Sequence, residues 1–180
     1  MKRTRAALLS ALLTALVFVA GQALAGVPNV ELVTVLVFVA GYLLGPALGA
    51  LVGAAGMGAH SLLNVMGAVA PPVWVAQFVC YAVVGLVGGM LGPVLARMRR
   101  RGLASVLAAA TGAALALFYQ LVINAVTFFV FSSGVSVWVY VWGGIAFGAV
   151  QVAWNTAVFL FVPGTLRVLA PYRRELAARP

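Results

Sequence analysis

Between Ala6 and Ala96, and again between Gly102 and Leu166, the chain carries no lysine or arginine. All eleven basic residues fall into three clusters: Lys2, Arg3 and Arg5; Arg97, Arg99, Arg100 and Arg101; and Arg167, Arg173, Arg174 and Arg179. In a chain this apolar the pattern is a topology map. Basic residues beside membrane spans stay on the cytoplasmic side. All three clusters are therefore expected on that side, with an even number of crossings in each gap.

Composition supports a membrane reading. The chain is 65% hydrophobic and 7% charged, and its mean hydropathy is +1.17. A soluble domain carries about 25% charged residues. The net charge of +9 raises nucleic acid as a partner, but no basic face exists outside the clusters, so none is expected. Orientation and contact with anionic membrane lipid explain the clusters better. The lone Cys80 forms no intramolecular disulfide and no zinc site.

A span needs about 20 apolar residues. The first gap suits four spans and the second two. Turn signals place them at about 6–24, 31–44, 47–67, 73–96, 103–131 and 137–162. Gly26-Val27-Pro28-Asn29, Pro71-Pro72 and Ser132-Ser133-Gly134 mark the outer loops. Gly45-Pro46 and the arginines at 97–101 mark inner ones, and Pro163-Gly164 leads into a basic tail. The expected fold is all-α: one membrane domain over residues 1–180, a six-transmembrane-helix bundle with both termini cytoplasmic. Lys2 to Arg5, the apolar run to Ala20 and Ala23-Leu24-Ala25 also fit a cleavable signal peptide. Cleavage would leave five spans.

Small residues recur at four-residue spacing: Gly45, Gly49 and Gly53; Gly85 and Gly89; Gly88 and Gly92; Gly144 and Gly148; and Ala7, Ala11 and Ala15. That spacing lets helix backbones approach closely. The alanine stripe suits a helix of this chain or of another subunit.

Missing chemistry narrows the function. Glu31 and Glu175 are the only acids, and neither lies inside a span. Ion-coupled transporters use buried ionisable groups, and only His60 is available. One His and no Asp exclude a Ser-His-Asp triad and a multi-histidine metal site. Without GxxxxGK[ST] the chain has no P-loop of its own. No catalytic residue, metal or cofactor is expected, and energy for uphill transport must come from another polypeptide.

Neutral polar and aromatic residues remain. His60 and Asn64, Gln77 and Tyr81, Gln120 and Asn124, and Gln151 and Asn155 each lie one helical turn apart. Trp74, Trp138 and Trp142 fall near the outer ends of spans four and six, as an aromatic belt or as pocket walls. Amides in hydrocarbon need partners. They either bridge helices, at about 0.6 kcal/mol each, or line a pocket open to the outside. Four such pairs on spans three to six favour the pocket. His60 reads as a hydrogen-bond partner rather than a proton carrier.

With these residues in view, the chain resembles the substrate-binding S component of an energy-coupling factor (ECF) vitamin transporter. Ala7-xxx-Ala11-xxx-Ala15 resembles the family's alanine motif. Ala40-Gly-Tyr-Leu-Leu-Gly-Pro-Ala-Leu-Gly-Ala-Leu-Val-Gly53 resembles its junction of spans two and three. Pro72-Val-Trp-Val-Ala-Gln77 with Val84-Gly-Leu-Val-Gly-Gly89 resembles its fourth span. Gln151-Val-Ala-Trp-Asn155, followed by Pro163, resembles its last. The resemblance implies a multi-pass protein of a prokaryotic plasma membrane that captures a vitamin or related micronutrient from outside. Ala7, Ala11 and Ala15 would dock on a transmembrane coupling protein, and a pair of cytoplasmic ATPases would power release inside. With no acid on span four and Glu31 the only outer acid, the expected substrate is neutral or zwitterionic, with aromatic or amide character. Two other readings stand beside this one. The chain is then a structural or assembly subunit without a ligand, or a stand-alone small-solute facilitator.

Overall fold

The computed structural model describes residues 2–131 and 134–178. Over them the chain is all-helical, with seven helices: α1 (Lys2–Leu24), α2 (Val33–Leu44), α3 (Pro46–Leu62), α4 (Pro71–Arg97), α5 (Arg101–Phe131), α6 (Val137–Phe159) and α7 (Val162–Ala178). Four of these, α1, α4, α5 and α6, are long and apolar enough to cross a membrane. Their outer faces carry exposed leucine, methionine, valine and phenylalanine such as Leu8, Leu12, Met90, Val106 and Phe147. Surfaces in water seldom present so continuous an apolar face.

Helix directions follow from which residues meet. Val17 packs on Gly56 and Gly21 on His60, so α1 and α3 run parallel. Gly49 meets Gly85 and Gly53 meets Tyr81, so α3 and α4 run antiparallel. Phe38 meets Gly88 and Tyr42 meets Gly92, so α2 runs parallel to α4. Asn124 meets Gly144 and Gln120 meets Gly148, which makes α5 and α6 an antiparallel hairpin. The start of α1, the ends of α2 and α4, and the start of α5 therefore share one end, the basic end. The loops 25–32 and 63–70 lie at the opposite end.

Lipid tails are as apolar as leucine, so helices in a membrane associate through close packing rather than hydrophobic burial. The α2–α3–α4 block does this with glycine. A Cβ on Gly41 would overlap the Gly85 carbonyl, and one on Gly85 would overlap that of Gly49. The four-residue spacing of Gly49, Gly53, Gly85 and Gly89 thus marks real backbone contacts. Gly45 departs from it. It sits at φ 90° and a Cβ there would meet nothing within 4 Å. Its N–H donates to Gly41 O at 2.8 Å and closes α2. Gly45 therefore turns the chain, in a conformation β-carbons disfavour. Gly144 and Gly148 likewise receive the side chains of Asn124 and Gln120 instead of a neighbouring backbone.

Several expected boundaries shift. The third span was expected to reach residue 67, but α3 stops at Leu62. The Asn64 side chain accepts from the Met66 N–H at 2.8 Å, and Gly67 takes φ 105°. This side-chain turn competes with the helix and ends it. Pro71 and Pro72 do not mark the loop; they open α4, where a missing N–H costs nothing. The expected turn residues Ser132 and Ser133 lie outside the described residues, as does Arg179. The last span was expected to run to 162, followed by a basic tail. Instead α6 ends at Phe159 and the tail forms α7. Pro163 sits in the first turn of α7, where proline is tolerated. Val162 and Leu166 are buried, and Phe159 at the end of α6 meets Phe38 edge-on at 5.2 Å.

Candidate binding site

A short helix organises the polar residues. α2 has 12 residues, about 18 Å against the roughly 30 Å of hydrocarbon in a bilayer. Loop 25–32, which precedes it, descends into the bundle beside α5 and α6. Asn29, at φ 62°, donates through Nδ2 to Phe147 O at 2.9 Å. Trp154 donates through Nε1 to Glu31 O at 2.6 Å. Phe147 lies ten residues below the start of α6 and Trp154 seventeen. Irregular backbone at this depth is tolerated only when protein satisfies it or it lines a water-filled cavity.

Glu31 is the centre of the layer the loop builds. Its carboxylate accepts from the Thr34 N–H at 2.8 Å, the Thr34 hydroxyl at 2.6 Å and Asn155 Nδ2 at 2.8 Å. The first of these bonds satisfies a free N–H in the first turn of α2, at the positive end of its dipole. Asn155 gives its second proton to Gln151 O at 3.1 Å. Gln120 Nε2 donates to Gln151 Oε1 at 2.6 Å and to Asn29 Oδ1 at 3.4 Å. Loop, α5 and α6 are thereby tied at one level.

A second branch reaches α3 and α4. The Tyr81 hydroxyl lies 3.4 Å from Thr34 Oγ1, which already donates to Glu31, so Tyr81 is the donor. Tyr81 and Tyr119 meet edge-on at 5.5 Å. The Tyr119 hydroxyl is 3.0 Å from the Gln77 amide, whose other atom is 2.6 Å from Ser61 Oγ. Ser61 Oγ is also 2.8 Å from Met57 O and has one proton. Gln77 Nε2 donates to the Tyr119 hydroxyl, and the single Ser61 hydroxyl proton is shared between Gln77 Oε1 and Met57 O. The layer spans α2 to α6. Gln151 Nε2, Gln120 Oε1 and Asn155 Oδ1 engage no side chain or carbonyl among the described residues.

The sequence-derived candidates divide into groups. Gln77, Tyr81, Gln120, Gln151 and Asn155 are all buried and joined in this layer. Trp74 sits beside its α3–α4 side and donates through Nε1 to Gly58 O at 2.9 Å. His60 and Asn64 form a separate contact, Nε2 to Nδ2 at 3.3 Å, at the α1–α3 edge. They do not share a helix face, because α3 ends before Asn64. His60 Nδ1 and Asn124 Nδ2 are enclosed without a partner among the described residues. Asn124 is a turn above Gln120 on α5, against Gly144. Trp138 and Trp142 are 70% and 66% exposed on the part of α6 beyond the layer, and the structure does not bring them to it. Ala7, Ala11 and Ala15 are exposed on the outer face of α1.

Six contributors were absent from the sequence-derived set: Asn29, Glu31, Thr34, Ser61, Tyr119 and Trp154. Thr34 and Ser61 are isolated in apolar runs and carry no pattern. Glu31 had one available signal. It stands three residues before Thr34 at the head of an apolar run, the position from which a carboxylate caps a helix.

A family model described as "ECF transporter, substrate-specific component" matches residues 5–163. No curated protein and no solved structure matches the chain.

Proposed function

The chain belongs to the substrate-specific components of ECF transporters, and from that premise we propose that the Glu31 layer is where it binds a vitamin-like solute. Members of the family are multi-pass membrane proteins that bind small molecules and work with a membrane coupling protein and ATPases. In this reading the protein lies in a prokaryotic plasma membrane with the basic end cytoplasmic. It makes six crossings, α2 completing its own with loop 25–32. Substrate arrives at the loop end. The chain is not itself an enzyme; ATP hydrolysis belongs to a pair of partner subunits, and the exposed Ala7, Ala11 and Ala15 face docks on the coupling protein.

The observation that carries the reading is the layer itself. It gathers one carboxylate, five amides and two tyrosines from five helices and a loop, in a chain with no other acid inside the bundle. Interhelical bridging needs donors and acceptors matched in pairs. Here Gln151 Nε2, Gln120 Oε1 and Asn155 Oδ1 remain free of described partners, and a ligand would engage these. Glu31 accepts only from neutral donors. That favours a ligand bringing its own N–H or O–H groups, neutral or zwitterionic, with an aromatic portion against Tyr81 and Tyr119.

Two measurements separate the parts of this proposal. Purified protein is titrated with a panel of vitamins while tryptophan fluorescence is followed. Quenching that disappears in Trp154→Phe locates the ligand at the layer. Silence across the panel supports an assembly subunit without a ligand. Separately, Ala11→Trp and Ala15→Trp are co-expressed with the coupling protein and ATPases. Loss of co-purification with ligand binding intact supports the docking face, and a complex that survives both changes refutes it.

A further inference from the structure

We propose that the hollow between α2, α4 and α7 at the basic end binds a phosphate-bearing anion, from an anionic phospholipid headgroup or free phosphate. The hollow has a volume of about 340 Å³ and is walled by Tyr42 and Pro93, with Arg97, Arg173 and Arg174 around it. It is separate from the Glu31 layer, which lies at the opposite end of α2.

Three observations argue for an anion. First, the arginines are held rather than merely present. Arg173 donates through Nε to Tyr42 O at 2.7 Å, and its guanidinium lies 5.1 Å from the Tyr42 ring centroid. That fixes the planar fork and leaves its terminal NH2 groups uncommitted to any described residue. A fork so presented matches the oxygens of a phosphate. Second, no acid among the described residues compensates the charge. Glu31 is engaged elsewhere, and among the described residues Glu175 pairs with none of the three. Like charges around one hollow repel, and an anion removes that cost. Third, orientation of the chain requires basic residues near the membrane but no hollow and no fixed guanidinium. A basic pocket between helices at a membrane surface is the form that binds acidic lipid headgroups.

The test uses the whole protein in detergent, with native mass spectrometry and thermal unfolding as readouts. The probes are dihexanoyl phosphatidylglycerol, dihexanoyl phosphatidylcholine and inorganic phosphate. Arg97→Gln/Arg174→Gln removes two exposed charges and no described hydrogen bond, so its fold is retained. Arg173→Gln is the second variant. Phosphatidylglycerol should bind in preference to phosphatidylcholine, and the double variant should lose about thirtyfold in affinity, roughly a factor of five per arginine. That result with no response to phosphate assigns the site to lipid. The same loss read with inorganic phosphate, at concentrations where the lipid gains nothing, assigns it to free phosphate. Equal binding by wild type and double variant overturns the proposal, as does absence of binding by all three probes. If the double variant loses the coupling protein while keeping its lipid, the arginines form a protein contact and the proposal fails.

Discussion

The bond from Asn155 to Glu31 is one of those that pin loop 25–32 inside the bundle, and a double-mutant cycle measures it. Glu31→Ala removes a carboxylate that accepts three hydrogen bonds. Two come from Thr34, three residues away, whose hydroxyl can rotate to another acceptor such as a carbonyl of its own helix turn. Bonds to charged groups are worth about 1.5–3 kcal/mol, so one full bond and fragments of two others give a loss of about 2–4 kcal/mol. Asn155→Ala removes the third bond and the one to Gln151 O, and should cost about 1–3 kcal/mol. Interhelical cycles in membranes average about 0.6 kcal/mol and reach about 1.7. The acceptor here is charged and Asn155 is 1% exposed, so the coupling should fall near the top of that range, at about 1.5 kcal/mol. Wild type, both single variants and the double variant are unfolded with sodium dodecyl sulfate in mixed micelles. Circular dichroism is the probe, because Trp154 contacts Glu31 and its fluorescence would report the loop alone. A coupling below about 0.3 kcal/mol, with single variants that simply add, would show that the loop is not held at this point.

Other expectations concern packing and the outer part of α6. Gly85→Ala forces a methyl against the Gly49 carbonyl and should destabilise by about 1–3 kcal/mol in the same assay. Gly143→Ala, with nothing within 4 Å, should instead be neutral or gain up to about 1 kcal/mol. Tyr119→Phe deletes the hydroxyl that meets Gln77 and should cost about 1 kcal/mol, while Tyr119→Ala should cost more by also removing the ring beside Tyr81. Trp138→Leu and Trp142→Leu, on exposed positions, should leave stability within about 0.5 kcal/mol and leave ligand quenching unchanged; a loss of quenching would bring that part of α6 into the site.

Much of the architecture was legible because a bilayer imposes it. The arginine clusters and apolar runs placed the long helices, and glycine spacing marked faces for close helix packing, of which Gly49 and Gly85 make the α3–α4 contact. What was hidden is non-periodic. Loop 25–32 reads as an ordinary connection, since nothing local distinguishes a loop that lies on a surface from one that dips toward α6. Glu31 was noticed only as an acid at a helix start; its role depends on Asn155, more than a hundred residues away. Asn64 read as a helical partner of His60, and its own Asx turn with Met66 ended the helix instead. The tail read as a basic segment because its charges outweigh Pro163 and Leu166, which are buried in the first turns of α7. Gln77, Tyr81, Gln120, Gln151 and Asn155 were found by their spacing, whereas Thr34 and Ser61 have no spacing to find.

The arginine contacts of α7 bear on the order in which the chain is completed. Tyr42 O is among the last carbonyls of α2, and Met98 O follows directly on α4; each is met by a guanidinium, from Arg173 at 2.7 Å and Arg167 at 3.0 Å. Such cations suit the negative end of a helix dipole. During synthesis, α2 and α4 are made long before the residues that close their ends. A ribosome that has finished α6 has therefore delivered every long apolar helix and the whole Glu31 layer, yet two helix ends still await their caps. The last described helix acts as a finishing piece, added after the bundle it seals.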